Sequence, residues 1–209
     1  MHITQIYLTS NRILPKVFFV FFFTILNLFS LQKLYADRVD GSQQLVGDLY
    51  SELVATSLKE LTIDQQEAEL KKLFQKYVDV PIIARAVLGK SWRDANSDQR
   101  ERFIHAFKTY VSNKYGKQFS EFKGTRLEIV KSRDTQTKAG VLVSTEVVVP
   151  GNTPLKVVWQ VSDGSGSLKL IDMRVEGISM LSTERQEFRS KLKKFNGSID
   201  DLIIAISYK

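Results

Sequence analysis

Ala139-Gly140-Val141-Leu142-Val143-Ser144-Thr145-Glu146-Val147-Val148-Val149, then Pro150-Gly151-Asn152-Thr153-Pro154, then Leu155-Lys156-Val157-Val158-Trp159-Gln160-Val161, is the stretch that decides the fold. In its first part Val141, Val143, Thr145, Val147 and Val149 fall on one face, and Leu142, Ser144, Glu146 and Val148 on the other. After the turn-forming run, Leu155, Val157, Trp159 and Val161 share a face, with Lys156, Val158 and Gln160 opposite. Period-2 runs rich in β-branched residues around a Pro/Gly loop predict an antiparallel hairpin. One of its faces is almost wholly apolar and has to be covered.

The flanking sequence offers strands and helices for that purpose. Arg126–Lys131 alternates through Leu127 and Ile129 and predicts a first strand. Asp163-Gly164-Ser165-Gly166-Ser167 turns the chain into a last strand, Leu168–Glu176. Upstream, Leu45, Val46, Leu49, Tyr50, Leu53 and Val54 recur at helical spacing. Thr62-Ile63-Asp64-Gln65 has the form of a capping box ahead of Leu70, Leu73, Phe74 and Tyr77. Asp79 caps a short helix with Pro81 in its first turn, where a missing N–H costs nothing, and Gly89 suits its left-handed end. Ser97 opens the longest helix, to about Phe119. Its apolar positions (Phe103, Ile104, Ala106, Phe107, Tyr110, Val111, Tyr115, Phe119) exceed a surface stripe and call for two partners, a sheet on one side and helices or a ligand on the other. Ser182 or Thr183 starts a helix with Phe188, Leu192 and Phe195, and Ser198 opens a last one with Leu202, Ile203 and Ile206. Helices, consecutive strands, then helices make an α+β fold: a curved antiparallel sheet of about four strands covered by N- and C-terminal helices, cone-like with an apolar cavity.

The first 36 residues stand apart. Arg12 and Lys16 precede an apolar run of fifteen, Val17–Leu31, and Leu34-Tyr35-Ala36 ends on a small residue before Asp37. That is the layout of a cleaved secretory signal peptide; a retained membrane anchor is the alternative, although the run is short of the roughly 20 residues of a spanning helix. The expected organisation is a signal peptide over 1–36 and a single domain over 37–209, periplasmic after export. Removing Arg12, Lys16 and Lys33 lowers the formal charge from +7 to +4. The remaining cations are scattered, which argues against nucleic acid as a partner. With no Cys, the chain forgoes disulfides, thiolate metal sites and cysteine nucleophiles.

No catalytic constellation stands out. His105 is the one histidine after residue 36 and has no partner in the sequence. Asp172 and Glu176 fit capping or ion pairing better than acid–base work. Gly164 and Gly166 form a turn with no following helix to cradle a phosphate. Lys191, Lys193 and Lys194 read as a solvated helix face, able also to meet anionic lipid or an acidic partner.

Three ordered motifs carry a resemblance. Val80-Pro-Ile-Ile-Ala-Arg-Ala-Val-Leu-Gly-Lys-Ser-Trp92 with Ser97-Asp98-Gln99-Arg100, Phe103-Ile104-His105-Ala106-Phe107 and Tyr115-Gly116 forms the first. Asp172-Met-Arg-Val-Glu-Gly-Ile-Ser-Met180 forms the second, and Gly197-Ser-Ile-Asp-Asp-Leu-Ile203 the third. Together they resemble the MlaC family, also called the toluene-tolerance auxiliary family, over roughly Leu70–Ile206. Leu168 and Ile171 stand where that family often has aromatics. The resemblance implies a non-enzymatic carrier without a cofactor. Its cargo is phospholipid, moved between an outer-membrane lipoprotein complex and the substrate-binding component of an inner-membrane ABC transporter, in maintenance of outer-membrane lipid asymmetry. Hopanoid or another apolar lipid is an alternative cargo, and an enzyme using Asp172 on an apolar small molecule is the rival reading. Under the carrier reading, acyl chains lie against Val143, Val147, Val157, Trp159 and Val161 of the sheet. Phe107, Tyr110 and Val111 of the long helix and Val87 and Leu88 of the preceding one close over them, and Ile178 and Met180 line the rim. Lys90 and Arg93 contact the headgroup or a partner.

Overall fold

The computed structural model describes residues 37–207 apart from Lys117; the signal peptide expected over 1–36 lies outside the described residues. The described chain runs as α1 (residues 37–57), α2 (Ile63–Tyr77), α3 (Val80–Leu88), α4 (Ser91–Asp94) and α5 (Ser97–Gly116), with a short 3-10 turn at Phe119–Phe122. It continues as β1 (Arg126–Asp134), β2 (Val141–Val148), β3 (Leu155–Ser162), β4 (Lys169–Val175) and β5 (Ile178–Ser179), then α6 (Met180–Lys194) and α7 (Ile199–Ser207). The α+β class follows as expected, with a fifth, two-residue strand added to the four.

The sheet is an antiparallel meander in the order β1-β2-β3-β4-β5, and its ends do not pair with each other. Val143 lies opposite Trp159, and Thr145 opposite Val157, so the residues read onto one face of each strand are paired across the hairpin. Every second residue of β2 is buried. Gly140 sets the start of that register: a Cβ there would lie 1.9 Å from the Val161 carbonyl oxygen, so only glycine lets the two strands close. Two bulges bend the sheet. Val130 is extra in β1 against β2, and Ile171 is extra in β4 against β3. Each inserts one unopposed residue and increases local twist, which gives the sheet its curvature. Glu176 (φ 48°) and Gly177 (φ 83°) make the two-residue turn into β5, both in the left-handed region that such hairpin turns require.

Buried side chains gather into two cores. One joins the inner face of β2, β3 and β4 to Val46, Leu49, Tyr50 and Leu53 of α1 and Leu70, Leu73 and Tyr77 of α2. The other is helical. It joins α3, α5, α6 and α7 around Phe188, whose ring meets Phe103, Phe107 and Tyr110 edge-on at centroid separations of 5.3–5.7 Å. Here the structure differs from the expectation for α5. Its main neighbours are α2, α3 and α7 rather than the sheet. The reason is competition: the apolar stripe of α1 occupies the sheet face, and α5 satisfies its wide apolar surface among helices.

Local signals explain the helix ends. Thr62 and Gln65 exchange capping-box bonds at α2, and Asp79 accepts from the Ile82 amide at α3. At α5 the reciprocal cap is Asn96 with Gln99, one residue before the expected Ser97. The helix stops at Gly116, where a Cβ would crowd the backbone of Glu67 in α2. At α6 the cap is Ser179, which accepts from the Ser182 amide, so the helix begins at Met180 and not at Ser182 or Thr183.

Candidate functional site

The sequence-derived site residues divide between the two cores. Val143, Val147, Val157, Trp159 and Val161 belong to the sheet core. Val87, Leu88, Phe107, Tyr110 and Val111 belong to the helical core. Phe74, Val78 and Tyr115 pack against both. These three side chains mark an apolar seam between two layers that are each well packed internally. Ile178 is 65% exposed on the β4–β5 turn, and Met180 is half-buried in the first turn of α6. Lys90 and Arg93 are exposed beside α4, held there by Arg100, which donates to the Trp92 and Arg93 carbonyls and covers the Trp92 ring.

At Val78 the seam reaches the surface. A groove of about 390 Å³ runs between α2, α3 and α5, floored by Val78, Val80, Pro81 and Ile104 and rimmed by Glu101, His105 and Lys108. Val78 enters this position as the residue that ends α2, where the amides of Val78 and Asp79 bond Phe74 and Leu170 and turn the chain directly into α3. His105 is therefore a rim residue on an exposed helix face.

At Tyr115 the seam meets a polar cluster. Tyr115 donates to Glu184 Oε1 at 2.6 Å, and Lys114 Nζ lies 2.7 Å from both Glu184 Oε1 and Glu187 Oε2. Tyr110 donates to Glu187 Oε1 at 2.5 Å, and Lys191 approaches the same carboxylate at 3.3 Å. Glu184 is 4% exposed, and its second oxygen, Oε2, has no hydrogen-bond partner among the described residues. Burial pushes both tyrosine hydroxyls up in pKa, and the adjoining carboxylates push further in the same direction. Burial alone would raise Glu187, but Lys114, Tyr110 and Lys191 outweigh it and hold the carboxylate at about 2.

The acids that the enzyme reading relies on are engaged in structure. Asp172 Oδ1 accepts from the amides of Met173 and Leu181, and Oδ2 from the Ser179 hydroxyl, so this carboxylate ties β4 and β5 to the start of α6. Glu176 accepts from the Lys156 amide. Inside the sheet core, Trp159 Nε1 donates to Thr145 Oγ1, which in turn donates to the Val157 carbonyl, leaving no indole donor to spare. Among the described residues no group of three His, Asp or Glu side chains is arranged to hold a metal ion, and no helix is long and apolar enough to cross a membrane.

The family model for the MlaC protein matches residues 43–207. The chain belongs to the MlaC family. A relative from Haemophilus influenzae, the intermembrane phospholipid transport system binding protein MlaC, is 24% identical over 168 residues, covering 77% of this chain and 76% of its own. A phospholipid-binding protein from Ralstonia solanacearum, solved in complex with a phospholipid, superposes with a TM-score of 0.69 at 16% identity. That alignment covers 79% of this chain and 94% of the Ralstonia one. At that identity the likeness is one of fold.

Within this MlaC-family fold, the sequence reading missed the polar cluster. Its signal lies in spacing: Tyr110 and Lys114 are one turn apart on α5, as are Glu184, Glu187 and Lys191 on α6. Each set flanks buried aromatic positions, which is where long polar side chains meet across packed helices.

Proposed function

We propose that this chain is a periplasmic phospholipid carrier, exported by a cleaved signal peptide over residues 1–36, that shuttles lipid between an outer-membrane lipoprotein complex and an inner-membrane ABC transporter. The observation that carries the reading is the seam: two separately packed apolar cores bridged by the side chains of Phe74, Val78 and Tyr115. The Ralstonia relative holds a phospholipid in the same fold, and the name of the Haemophilus relative ties it to intermembrane phospholipid transport.

The energetics favour a parting seam over a fixed pocket. At about 0.8 kcal/mol per CH₂, a phospholipid with on the order of 30 methylenes loses well over 20 kcal/mol in water, so its tails need complete cover. The groove of about 390 Å³ lies at the small end for drug-sized ligands and is open on one side. Tails therefore enter along the seam between the sheet core (Val143, Val147, Val157, Trp159, Val161), which α1 and α2 cover in the closed form, and the helical core (Val87, Leu88, Phe107, Tyr110, Val111), with Ile178 and Met180 at the rim. Opening the seam exposes apolar surface that the lipid then covers. Cargo leaves when docking at a membrane partner favours the closed form, and no covalent step is involved.

The test is mass spectrometry of organic extracts from the purified chain starting at Asp37. Near-stoichiometric phospholipid is the expected result. Hopanoid in its place keeps the carrier and changes the cargo, whereas lipid-free protein that also refuses added phospholipid overturns the reading.

A further inference from the structure

The seam has a chemically distinct end at Tyr115, where apolar packing gives way to Glu184, Glu187, Lys114 and Lys191. The cluster contains two carboxylates and two ammonium groups, so it is close to neutral overall and rich in both signs. Its imbalance is local. Glu184 is nine-tenths buried, and its Oε1 accepts from Lys114 and Tyr115, while Oε2 accepts from nothing among the described residues. A buried carboxylate oxygen without a donor is costly, and a ligand that supplies one there gains the hydrogen bond that the folded chain does not make.

We infer that Glu184 Oε2 is the acceptor for the ammonium group of an amine-bearing phospholipid headgroup, with Lys114 and Lys191 beside its phosphate. This rests on the carrier reading. A lipid lying between the two cores with its tails along the seam brings its headgroup to the seam's polar end. A primary ammonium offers three N–H donors, of which the unpartnered oxygen has none, and a positive charge that joins Lys114 in balancing the two carboxylates. A glycerol headgroup offers hydroxyls and leaves the lipid anionic beside Glu184 and Glu187. A quaternary choline offers no donor at all. Ethanolamine-type lipid is therefore the favoured class.

The experiment equilibrates the chain from Asp37, which contains the whole compact unit Val39–Lys209, with vesicles of equal parts phosphatidylethanolamine and phosphatidylglycerol. The protein is re-isolated and its bound lipid quantified by mass spectrometry. The wild type is expected to enrich the amine lipid about tenfold, the selectivity of one charge-assisted hydrogen bond. Glu184→Gln removes the negative charge and brings the ratio close to parity. Lys114→Met removes the cation that already balances Glu184 from its Oε1 side and raises the ratio, since the phosphate contact it also removes is common to both lipids, whereas a merely structural role for the cluster would move both variants the same way. Equal uptake of the two lipids by the wild type overturns the inference without recourse to any variant, as does full enrichment in a folded Glu184→Gln protein. Uptake of neither lipid overturns the carrier reading itself.

Discussion

Tyr115 donates its hydroxyl proton to Glu184 across 2.6 Å while its ring rests against both the sheet core and the helical core. One side chain thus joins the apolar seam to the one buried carboxylate of α6. Burial and that carboxylate both raise the pKa of its phenol above the ordinary tyrosine value, which favours the donor form.

Acid should loosen the α5–α6 contact. Glu187 has its ordinary value of 4.5 depressed to about 2 in the folded chain, against the pull of burial, by Lys114, Tyr110 and Lys191. A depressed carboxylate contributes stability above its unfolded value and loses it as the pH falls through the folded one. Melting temperatures are therefore expected to drop between about pH 4.5 and pH 2, and Glu187→Gln to flatten that part of the profile. Because the group is a third exposed, the slope should weaken in high salt.

Phe188 is the centre of the helical core, fully buried between Phe103, Phe107 and Tyr110. Phe188→Ala is expected to cost about 3–5 kcal/mol in urea unfolding, the range for removing a buried aromatic. A loss below about 1 kcal/mol would mean that the core collapses around the gap.

Asp172→Ala removes the acceptor of three bonds that join β4, Ser179 and Leu181. A loss of roughly 2–3 kcal/mol is expected, from two half-buried amides and the Ser179 hydroxyl left without their acceptor. Faster amide exchange at Leu181 and Ser182 should accompany it; protected amides there would separate Asp172 from the anchoring of α6.

Trp159 reports on the tails. It is 3% exposed on the inner face of β3. In a Trp92→Phe background it is the sole tryptophan, and phospholipid brominated along its acyl chains should quench its emission. Unquenched Trp159 in lipid-loaded protein would put the tails elsewhere.

Ile178 tests the rim cleanly because it is 65% exposed, so Ile178→Glu should change stability by no more than about 0.5 kcal/mol. Reduced phospholipid retention is expected. Retention at the wild-type level removes Ile178 from the lipid path.

Features set by local chemistry were legible in the sequence. The alternation of Val141 to Val147 and of Val157 to Val161 announced the hairpin and its buried face, and Thr62, Gln65, Asp79 and Pro81 announced their helices. Features set by competition between distant segments were not. The α1 stripe and the α5 stripe are both apolar enough to cover a sheet, and only packing decides that α1 takes it. Polar neighbours confuse caps: Asn96 stands beside Ser97, and Ser179 three residues before Ser182. The bulges at Val130 and Ile171 leave no mark in an alternating pattern. Lys114 and Glu184 lie 70 residues apart, and each alone reads as a surface charge. Of the candidate site, the burial of most of its apolar residues was legible, and their division between two cores was not.

The three bonds at Asp172 have a mechanical consequence. They fasten α6 at its first turn, while its last turn carries Lys191, Lys193 and Lys194. Fifteen residues at 1.5 Å each make a lever about 22 Å long. A rotation of about 10° about the fastened end sweeps the far end through about 4 Å. Any tilt of α6 about that fastened end therefore moves Leu192 and Phe188 further than Glu184, in proportion to their distance from it.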